Sequence, residues 1–391
     1  MQRQLMALAV ILTSANIGYS DWLGFRGSNA DGVATSDAPI SCDENSVAWS
    51  TDTPGRAVSS PIVVGDQVIV TSSSGLRQDR LHVISYDVRT GQKRWHRQFW
   101  ATGRTQCHPT SANAAPTPAS DGENIVAFFS SNDVVCLGIN GDLKWFRGLG
   151  NDYPRAVNDT GMASSPMLAE GIVVCQVENQ GDSFVEGLDV NNGKPLWRLE
   201  RPKLATWTSP VYLPGDDGFV LLKSDAGISA HRLRSGEQAW AYEADAGGIP
   251  SMIVTQKRIY VPGSTFLVLD RTGEQPTLAW DSQKIKPDPS PIVAGERLYF
   301  INSAGVLNCL DTQRGDRVWR LRIGGKYWAS PILAGNHIYA VNDAGQLTIV
   351  SKEGEKVAQY TFDGNVLGSP AVSDGALYVR GASKLWKVAD R

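Results

Sequence analysis

The sequence predicts an all-β fold, an eight-bladed β-propeller that an N-terminal strand closes by completing the last blade. Three observations carry this prediction: a repeat of about 40 residues in eight copies, a tryptophan at one fixed place in most copies, and an unpaired strand-like segment before the first copy. The composition agrees, since 39 Gly, 20 Pro and 42% hydrophobic residues indicate a turn-rich folded chain. The 391 residues are therefore expected to form one closed ring rather than two or three domains.

Each copy opens with a small residue, a proline and an alternating apolar run, as in SSPIVVGDQVIV and ASPILAGNHIYA. The proline position is held by Pro61, Pro118, Pro166, Pro210, Met252, Pro291, Pro331 and Pro370. Successive spacings are 57, 48, 44, 42, 39, 40 and 39 residues. Eight copies at this spacing are typical of propeller blades.

Four strands follow from the pattern inside each copy. The first run ends in a Gly- or Asp-containing turn such as GDQ or GNH, which suits a hairpin. A second run ends in another turn, and a third reaches Asp-x-x-x-Gly, as in SYDVRTG and CLDTQRG, with VLDRTG one residue shorter. A fourth run begins directly afterwards, so each copy predicts one four-stranded blade.

The fourth strand carries the tryptophan that explains most of the 12 Trp residues. The residues at this place are Trp49, Trp95, Trp145, Trp197, Trp240, Trp280 and Trp319, and Ala358 replaces Trp in the seventh copy. Equivalent positions in separate blades point around the ring, so we expect these indoles to dock each blade on the next rather than to form a sugar or base groove. Burial of about 200 Å² gives an upper estimate of about 5 kcal/mol for each indole.

The two ends of the chain predict how the ring closes. The eighth copy has only three strands, whereas SVAWST, with Trp49, stands before the first copy. Pairing this segment with the C-terminal strand completes the eighth blade and leaves no exposed edge.

The first 20 residues predict a secretory signal peptide. Arg3 precedes the apolar run 5–12, and small residues follow up to Ser20, where we expect cleavage; an N-terminal strand or a disordered tail is the alternative. No cysteine lies near the expected cleavage point, so a lipid anchor is not predicted. No later apolar run reaches the ~18 residues of a membrane helix. We expect a signal peptide (1–20), an N-terminal extension (21–45) and a propeller (46–391), in a periplasmic or secreted monomer without a membrane span.

Charge and motifs exclude several functions. The 37 Lys and Arg and 40 Asp and Glu are scattered without a basic block, so a nucleic acid partner is not expected. No nucleophile elbow, zinc-protease motif, phosphate-binding loop or dinucleotide fingerprint occurs. The five cysteines have no C-x-x-C spacing, so no zinc site is predicted, and whether Cys42 and Cys107 form disulfides is open. We predict no catalytic residue and no metal ligand.

The A-x-D-x-x-x-G-x-x-x-W pattern, preceded by S-P and a V-Y-V-type strand, resembles the pyrroloquinoline quinone (PQQ) repeat family from about residue 46 to 391. Resemblance to one branch of the family implies an eight-bladed quinoprotein dehydrogenase, an enzyme that holds PQQ and calcium over the central axis. Resemblance to a second branch implies a non-catalytic, protein-binding propeller such as BamB, the lipoprotein of outer-membrane protein assembly. The opening DWLGFRGSNADGVA and two long loops look most like a third branch, exported bacterial PQQ-like propellers of unassigned function.

The dehydrogenase branch fits this sequence poorly. Many of its alcohol dehydrogenases stack PQQ on a disulfide between neighbouring cysteines, and no two of these five cysteines are adjacent. No C-x-x-C-H haem motif follows the propeller, and no motif marks a calcium-binding set of Glu, Asn and Asp. The lipid-bearing cysteine of BamB is likewise absent from this sequence.

Two connections between blades depart from the repeat, and such departures are where binding residues are expected. They are residues 101–116 and 150–164, which account for the spacings of 57 and 48 and lie on one face. Alternatively, these two connections only cover the apolar ends of the blades. The candidate binding residues are Arg104, His108, Asn113, Asp152, Tyr153, Arg155, Asn158 and Asp159, with Trp207 and Trp328 just before first strands of later blades.

The sequence thus favours a non-catalytic propeller that binds a protein or an envelope ligand, with no cofactor expected. The alternative is a divergent quinoprotein oxidoreductase that uses PQQ with calcium. An enzyme acting on carbohydrate is the least supported, because paired carboxylates cannot be recognised from sequence separation.

Overall fold

The computed structural model describes residues 20–157, 159–215 and 218–390, and its strands form eight four-stranded antiparallel sheets. The predicted all-β, eight-bladed propeller is therefore confirmed. The predicted signal peptide lies outside the described residues apart from Ser20, and so does Asn158.

The regular elements begin with the 3-10 turn Glu44–Ser46 and strand β1, Val47–Asp52. Blades 1 and 2 contain β2 Ile62–Val64, β3 Gln67–Ser74, β4 Arg80–Asp87, β5 Lys93–Trp100, β6 Ala119–Ser120, β7 Asn124–Phe128, β8 Asp133–Gly138 and β9 Leu143–Gly148. A single helical turn, α1 Leu149–Asp152, follows β9. Blades 3 and 4 contain β10 Met167–Ala169, β11 Ile172–Val177, β12 Phe184–Asp189, β13 Pro195–Glu200, β14 Val211–Leu213, β15 Phe219–Ser224, β16 Gly227–Arg232 and β17 Gln238–Glu243.

The second half of the ring continues the same order. Blades 5 and 6 contain β18 Ile253–Val254, β19 Arg258–Val261, β20 Phe266–Asp270, β21 Thr277–Ser282, β22 Ile292–Ala294, β23 Arg297–Ile301, β24 Val306–Asp311 and β25 Arg317–Arg322. Blades 7 and 8 contain β26 Ile332–Ala334, β27 His337–Val341, β28 Gln346–Ser351, β29 Lys356–Thr361, β30 Ala371–Ser373, β31 Ala376–Arg380 and β32 Lys384–Ala389.

Burial within a blade decreases from the axis outward. Both faces of the inner strands are covered by neighbouring blades, so β7 is buried along its whole length and reads as a continuous apolar run. Outer strands such as β17 and β25 alternate between exposed and half-buried residues, because one of their faces meets solvent. The apolar clusters therefore lie mostly between blades, and the ring is held by contacts from one sheet to the next.

The ring closes as the unpaired N-terminal strand predicts. Strand β1 pairs antiparallel with β32, with Ser50 opposite Trp386, and the eighth sheet has the order β1-β32-β31-β30. One blade thus joins both ends of the propeller, which removes its open edge.

The propeller has two distinct faces. We call the loop face the one that holds the connections from an outer strand to the next blade, including residues 101–116 and 150–164. We call the turn face the opposite one, which holds the first hairpin of each blade and the Asp-x-x-x-Gly turns. The predicted N-terminal extension, residues 21–45, lies against the turn face.

The predicted docking of tryptophans is present around the ring. Six indoles donate Nε1–H to a backbone carbonyl in the next blade at 2.7–3.2 Å, namely Trp49, Trp95, Trp145, Trp197, Trp280 and Trp319. Each also covers the glycine of the turn between the third and fourth strands of that blade, and this turn has the sequence Asp-x-x-x-Gly in blades 1, 3 and 6. At Gly193, φ is 68° and a Cβ atom would lie 2.7 Å from the Trp145 ring, so both the conformation and the space require glycine.

Trp240 follows a different arrangement. It faces blade 5, where three additional residues stand between Gly273 and the tryptophan of the fourth strand, and no indole lies within 4 Å of the Cβ position of Gly273. Trp240 is instead half-buried against the apolar cluster of blades 4 and 5, beside Ile228 and Ala230. This one indole thus docks without the glycine contact, at the one turn that carries the insertion.

Candidate functional site

The two long connections meet on the loop face, as their common position in the repeat predicts. The Arg104 guanidinium and the Asp159 carboxylate lie 3.1 Å apart, and the His108 N–H donates to the Thr160 carbonyl at 2.9 Å. The two backbones approach closely where a Cβ atom on Gly150 would lie 3.3 Å from the Gly103 Cα. The two connections therefore form one surface over blades 2 and 3.

Asn113 is placed differently from the exposed contact residue that the sequence predicted. Its side chain is fully buried, its Oδ1 accepts from the Ser131 N–H at 2.8 Å, and its Nδ2 donates to the Gln78 carbonyl at 3.0 Å. Asn113 thus ties the first connection to turns of blades 1 and 2, because a buried amide needs partners for its polar atoms.

The charged candidate residues are exposed on this surface. The side chains of Arg155 and Asp159 are 82% and 80% exposed, and Arg155 pairs with Asp182 at 3.0 Å. Asp152 accepts a hydrogen bond from Arg147, and the exposed His108 ring places Nδ1 2.8 Å from the Thr110 hydroxyl. These ion pairs leave most of the Arg155 and Asp159 side chains, and a little under half of Arg104 and Asp152, open to a partner.

Tyr153 lies at the outer edge of this surface, between blades 2 and 3. Its ring packs against Phe184 at 4.5 Å between centroids, and the Arg198 guanidinium lies 4.6 Å above it. Its hydroxyl donates to the buried Glu186 carboxylate at 3.1 Å. Burial raises the pKa of both groups, and the negative charge of Glu186 raises that of Tyr153 further.

The two tryptophans outside the docking position lie apart from each other. The Trp207 Nε1–H donates to the Gly161 carbonyl at 3.0 Å, so this half-buried indole extends the same surface. Trp328 is 42% exposed, stacks under the Lys326 ammonium at 4.5 Å, and lies before blade 7. The structure therefore groups Trp207 with the two connections and leaves Trp328 separate.

Buried charges next to the second connection were not predicted from the sequence. The Glu178 carboxylate accepts from Arg201 Nε at 2.6 Å and is 1% exposed. Lys223, fully buried, donates to the Pro250 carbonyl at 3.0 Å, and burial lowers its pKa to about 7. Both residues stand at the loop-face end of a second strand, directly after an apolar run. A charged residue at the end of such a run was the only sign of them in the sequence.

A closed ring of hydroxyl groups surrounds the axis where the first strands begin. Each oxygen accepts the backbone N–H of the equivalent residue in the preceding blade, at 2.9–3.2 Å. The eight residues are Ser60, Thr117, Ser165, Ser209, Ser251, Ser290, Ser330 and Ser369. Each of these residues directly precedes the proline position of its copy. The small residue of the repeat therefore carries a hydroxyl group that accepts a hydrogen bond from the neighbouring blade.

The N-terminal segment crosses the turn face from blades 1 and 2 to blades 6 and 7. Trp22 exchanges two backbone hydrogen bonds with Val63 at 2.9 and 3.0 Å, and Ala34 donates to the Leu333 carbonyl at 2.8 Å. Arg26 lies between these anchors, and its Nη2 donates to the Pro291 carbonyl of blade 6. All five cysteines are free thiols. Cys107 is partly exposed, and the other four, including Cys42 of this segment, are buried.

A cavity of about 970 Å³ lies between this segment and blades 2 to 5. The N-terminal side of its wall is formed by residues 23–31, and the opposite side by the first hairpins of the blades. It reaches inward to the hydroxyl ring at Ser165, Ser209 and Ser251. This volume falls within the range of small-molecule sites.

The residues of the loop face do not fit PQQ with calcium. Calcium takes six to eight oxygen ligands, mainly carboxylates and carbonyls. The buried Glu178 carboxylate is neutralised by Arg201, and the Asn302 and Asn342 amide oxygens accept backbone N–H groups of their own turns. Across the described ranges, no three His, Cys, Asp or Glu side chains are grouped to hold a metal ion.

Sequence comparison identifies the family. The family model described as "Outer membrane protein assembly factor BamB" matches residues 33–242, 181–332 and 305–390. BamB of Burkholderia pseudomallei is 26% identical over 66% of this chain and 64% of its own length. The serine/threonine-protein kinase AfsK of Streptomyces griseus is 28% identical over 35% of this chain and 18% of its own length. The chain thus spans less than two thirds of both relatives.

Solved structures share the fold at low sequence identity. A europium-containing methanol dehydrogenase matches with a TM-score of 0.73 at 15% identity, over 93% of this chain and 90% of its own. BamB of Moraxella catarrhalis matches with a TM-score of 0.64 at 16% identity, over 87% and 96%. No helix in the described part of the chain is long and apolar enough to cross a membrane. Because the family model matches nearly the whole described chain, this protein belongs to the BamB-like family of PQQ-repeat propellers.

Proposed function

We propose that this chain is an exported, non-catalytic binding module that recognises a protein or another envelope ligand through its loop face. The observation that carries the proposal is the joining of the two long connections. The Arg104–Asp159 ion pair and the His108–Thr160 hydrogen bond unite them into one surface on rigid blades. Binding residues are favoured on loops that a rigid scaffold positions.

The chemistry of this surface suits a macromolecular partner. Arg155 and Asp159 expose most of their side chains, and Trp207 is half-buried beside them. Arginine, tyrosine and tryptophan carry much of the binding energy at protein interfaces. Mixed charges around an indole favour a polar, complementary protein surface rather than a small apolar ligand.

Binding is favoured over catalysis because the titratable groups at this face have structural partners. Glu178 is paired with Arg201, and Lys223 donates to backbone carbonyls. Neither group is free to act as a base or nucleophile on a ligand at the surface. The family description, an outer membrane assembly factor, supports a protein partner. An envelope location and a monomeric state belong to this proposal and rest on the sequence pattern alone.

The test is charge reversal at the loop face. The double variant Arg104→Glu and Arg155→Glu should lower recovery of a specific cross-linked partner from envelope extract about tenfold or more, because two attractive contacts become repulsive. The matched control, Arg89→Glu with Arg314→Glu, changes two exposed arginines on the turn face and should leave recovery unchanged. Equal recovery with both variants would place the interface elsewhere.

The alternative, a PQQ-dependent oxidoreductase, is supported by likeness of fold to the methanol dehydrogenase. Titration of the purified chain with PQQ and calcium, followed by a dye-coupled alcohol oxidation assay, separates the two functions. Saturable PQQ binding with turnover would reject the non-catalytic proposal. Failure of both PQQ binding and turnover agrees with it.

A further inference from the structure

Arg26 is a buried cation that lies near the Asp31 carboxylate but forms no ion pair with it within 4 Å. Its side chain is 1% exposed, and Nη2 is engaged by the Pro291 and Asp31 carbonyls. Nε and Nη1 are buried and have no hydrogen-bond partner, and within the described ranges no carboxylate lies within 4 Å of the guanidinium. A buried, unpaired charge is strongly unfavourable, so the fold is expected to supply a counter-charge here.

The surroundings of Arg26 offer space and further donors. Arg26 is one of the residues that line the turn-face cavity of about 970 Å³, and Ser165, Ser209 and Ser251 also line it. In the described part of the chain these three hydroxyls only accept hydrogen bonds, so each keeps its proton for another acceptor. The Pro291 carbonyl that holds Arg26 directly follows the ring residue Ser290, which places the cation about one residue from the hydroxyl ring.

We propose that the turn-face cavity is a binding site for a small anion whose carboxylate or phosphate group accepts hydrogen bonds from Arg26 and from the Ser165, Ser209 and Ser251 hydroxyls. Charge-assisted bonds from guanidinium to these oxyanions are strong and directional. The backbone of Arg26 adopts φ of 64°, a left-handed conformation that non-glycine residues rarely adopt.

The remaining wall limits the ligand. Leu168 and Leu213 give it apolar surface, whereas its acids are engaged: Glu170 accepts from Tyr212 and Arg234, and Asp31 accepts from the Val33 N–H. A small organic acid or phosphate ester with an apolar body fits this combination. The site lies on the face opposite the proposed partner surface and does not depend on that proposal.

The experiment measures binding of inorganic phosphate, acetate and hexanoate to the full chain by calorimetry and thermal shift, at an ionic strength held constant with chloride. We expect saturable binding of at least one of these anions. Arg26→Gln should weaken it on the order of tenfold to a hundredfold, since one charged donor group is lost. Arg26→Lys keeps the charge and should give an intermediate loss, and Arg89→Gln, on the outer turn face, should bind as the original chain does.

The relative affinities identify the ligand class, because a phosphate preference and a hexanoate preference point to different compounds. Equal binding by Arg26→Gln, or no binding of any of the three anions, overturns the proposal. A second measurement avoids dependence on folding of the variants: crystals of the original chain in selenate should show an anomalous peak beside the Arg26 guanidinium. Absence of a peak there, with selenate bound elsewhere or nowhere, also overturns it.

Discussion

The turn face and the loop face hold the propeller together in different ways. Around the turn face, a tryptophan of one blade covers a glycine of the next and bonds its backbone, and this contact repeats at six junctions. On the loop face, the two long connections are joined by an exposed ion pair and a few backbone bonds. Stability is thus concentrated in the repeated apolar contacts, and the irregular surface is left free to change charge and shape.

The largest effect is expected from removing one repeated indole. Trp197 is 8% exposed and donates to the Leu233 carbonyl at 2.8 Å. Trp197→Ala should lower the free energy of unfolding by about 3–5 kcal/mol, because it leaves a cavity between blades 3 and 4 and an unpaired carbonyl. Trp240→Ala is the matched control and should cost less, since Trp240 is half-buried and lacks the glycine contact. Equal losses in denaturant titrations would show that glycine docking adds nothing.

A slightly smaller effect is expected from the glycine side of the same contact. Gly193→Ala places a Cβ 2.7 Å from the Trp145 ring at a φ of 68°, so it should cost about 2–4 kcal/mol. Gly273→Ala changes the corresponding turn of blade 5, where the nearest atom to the new Cβ is the Gln275 carbonyl oxygen at 3.7 Å. This control should be nearly neutral by thermal unfolding. Gly273 lacks both the indole contact and the positive φ, so comparable destabilisation by both variants would mean that neither feature explains the glycine at position 193.

The repeated features were the ones that the sequence could predict. The residue before the proline position marks a contact at all eight junctions between blades, and the Trp and glycine positions mark a contact at six of them, so a single rule places many residues. The unpaired SVAWST segment likewise had one partner available, the edge of the three-stranded last copy. Trp240 departs from the rule at the one neighbouring turn in which three additional residues follow the glycine, Gly273.

For residues outside the repeat, the sequence indicated which loop or segment holds them but not the direction of their side chains. The sequence placed Asn113 on a binding surface, whereas it is buried under the connection that it supports. Arg26 stands in a segment expected to lie before the propeller, and only the folded path of that segment brings it to the axis. Buried charges such as Glu178 and Lys223 are held by Arg201 and Pro250, which lie 23 and 27 residues further along the chain, and the sequence does not reveal such pairings.

A buried charge on the loop face provides a pH-dependent test of the comparison. Burial lowers the pKa of Lys223 to about 7, so its cost to stability is fully present below about pH 7 and disappears as the pH rises toward the unfolded value. Lys223→Met removes this cost, so its gain in unfolding free energy over the original chain should shrink by about 2 kcal/mol between roughly pH 6 and pH 9. Denaturant titrations at several pH values measure it. A pH-independent difference would show that Lys223 keeps an ordinary pKa.

The smallest effect is expected where the loop face is most exposed. The Arg104–Asp159 pair joins the two long connections at 3.1 Å, with the side chains 48% and 80% exposed. A double-mutant cycle with Arg104→Gln and Asp159→Asn should give a coupling energy of about 0.2–1 kcal/mol, because water and salt screen exposed charges. The coupling should fall further at high salt. A larger, salt-resistant coupling would mean that this pair supports the fold as the docked indoles do, and the face would then be less free to adapt to a partner than we propose.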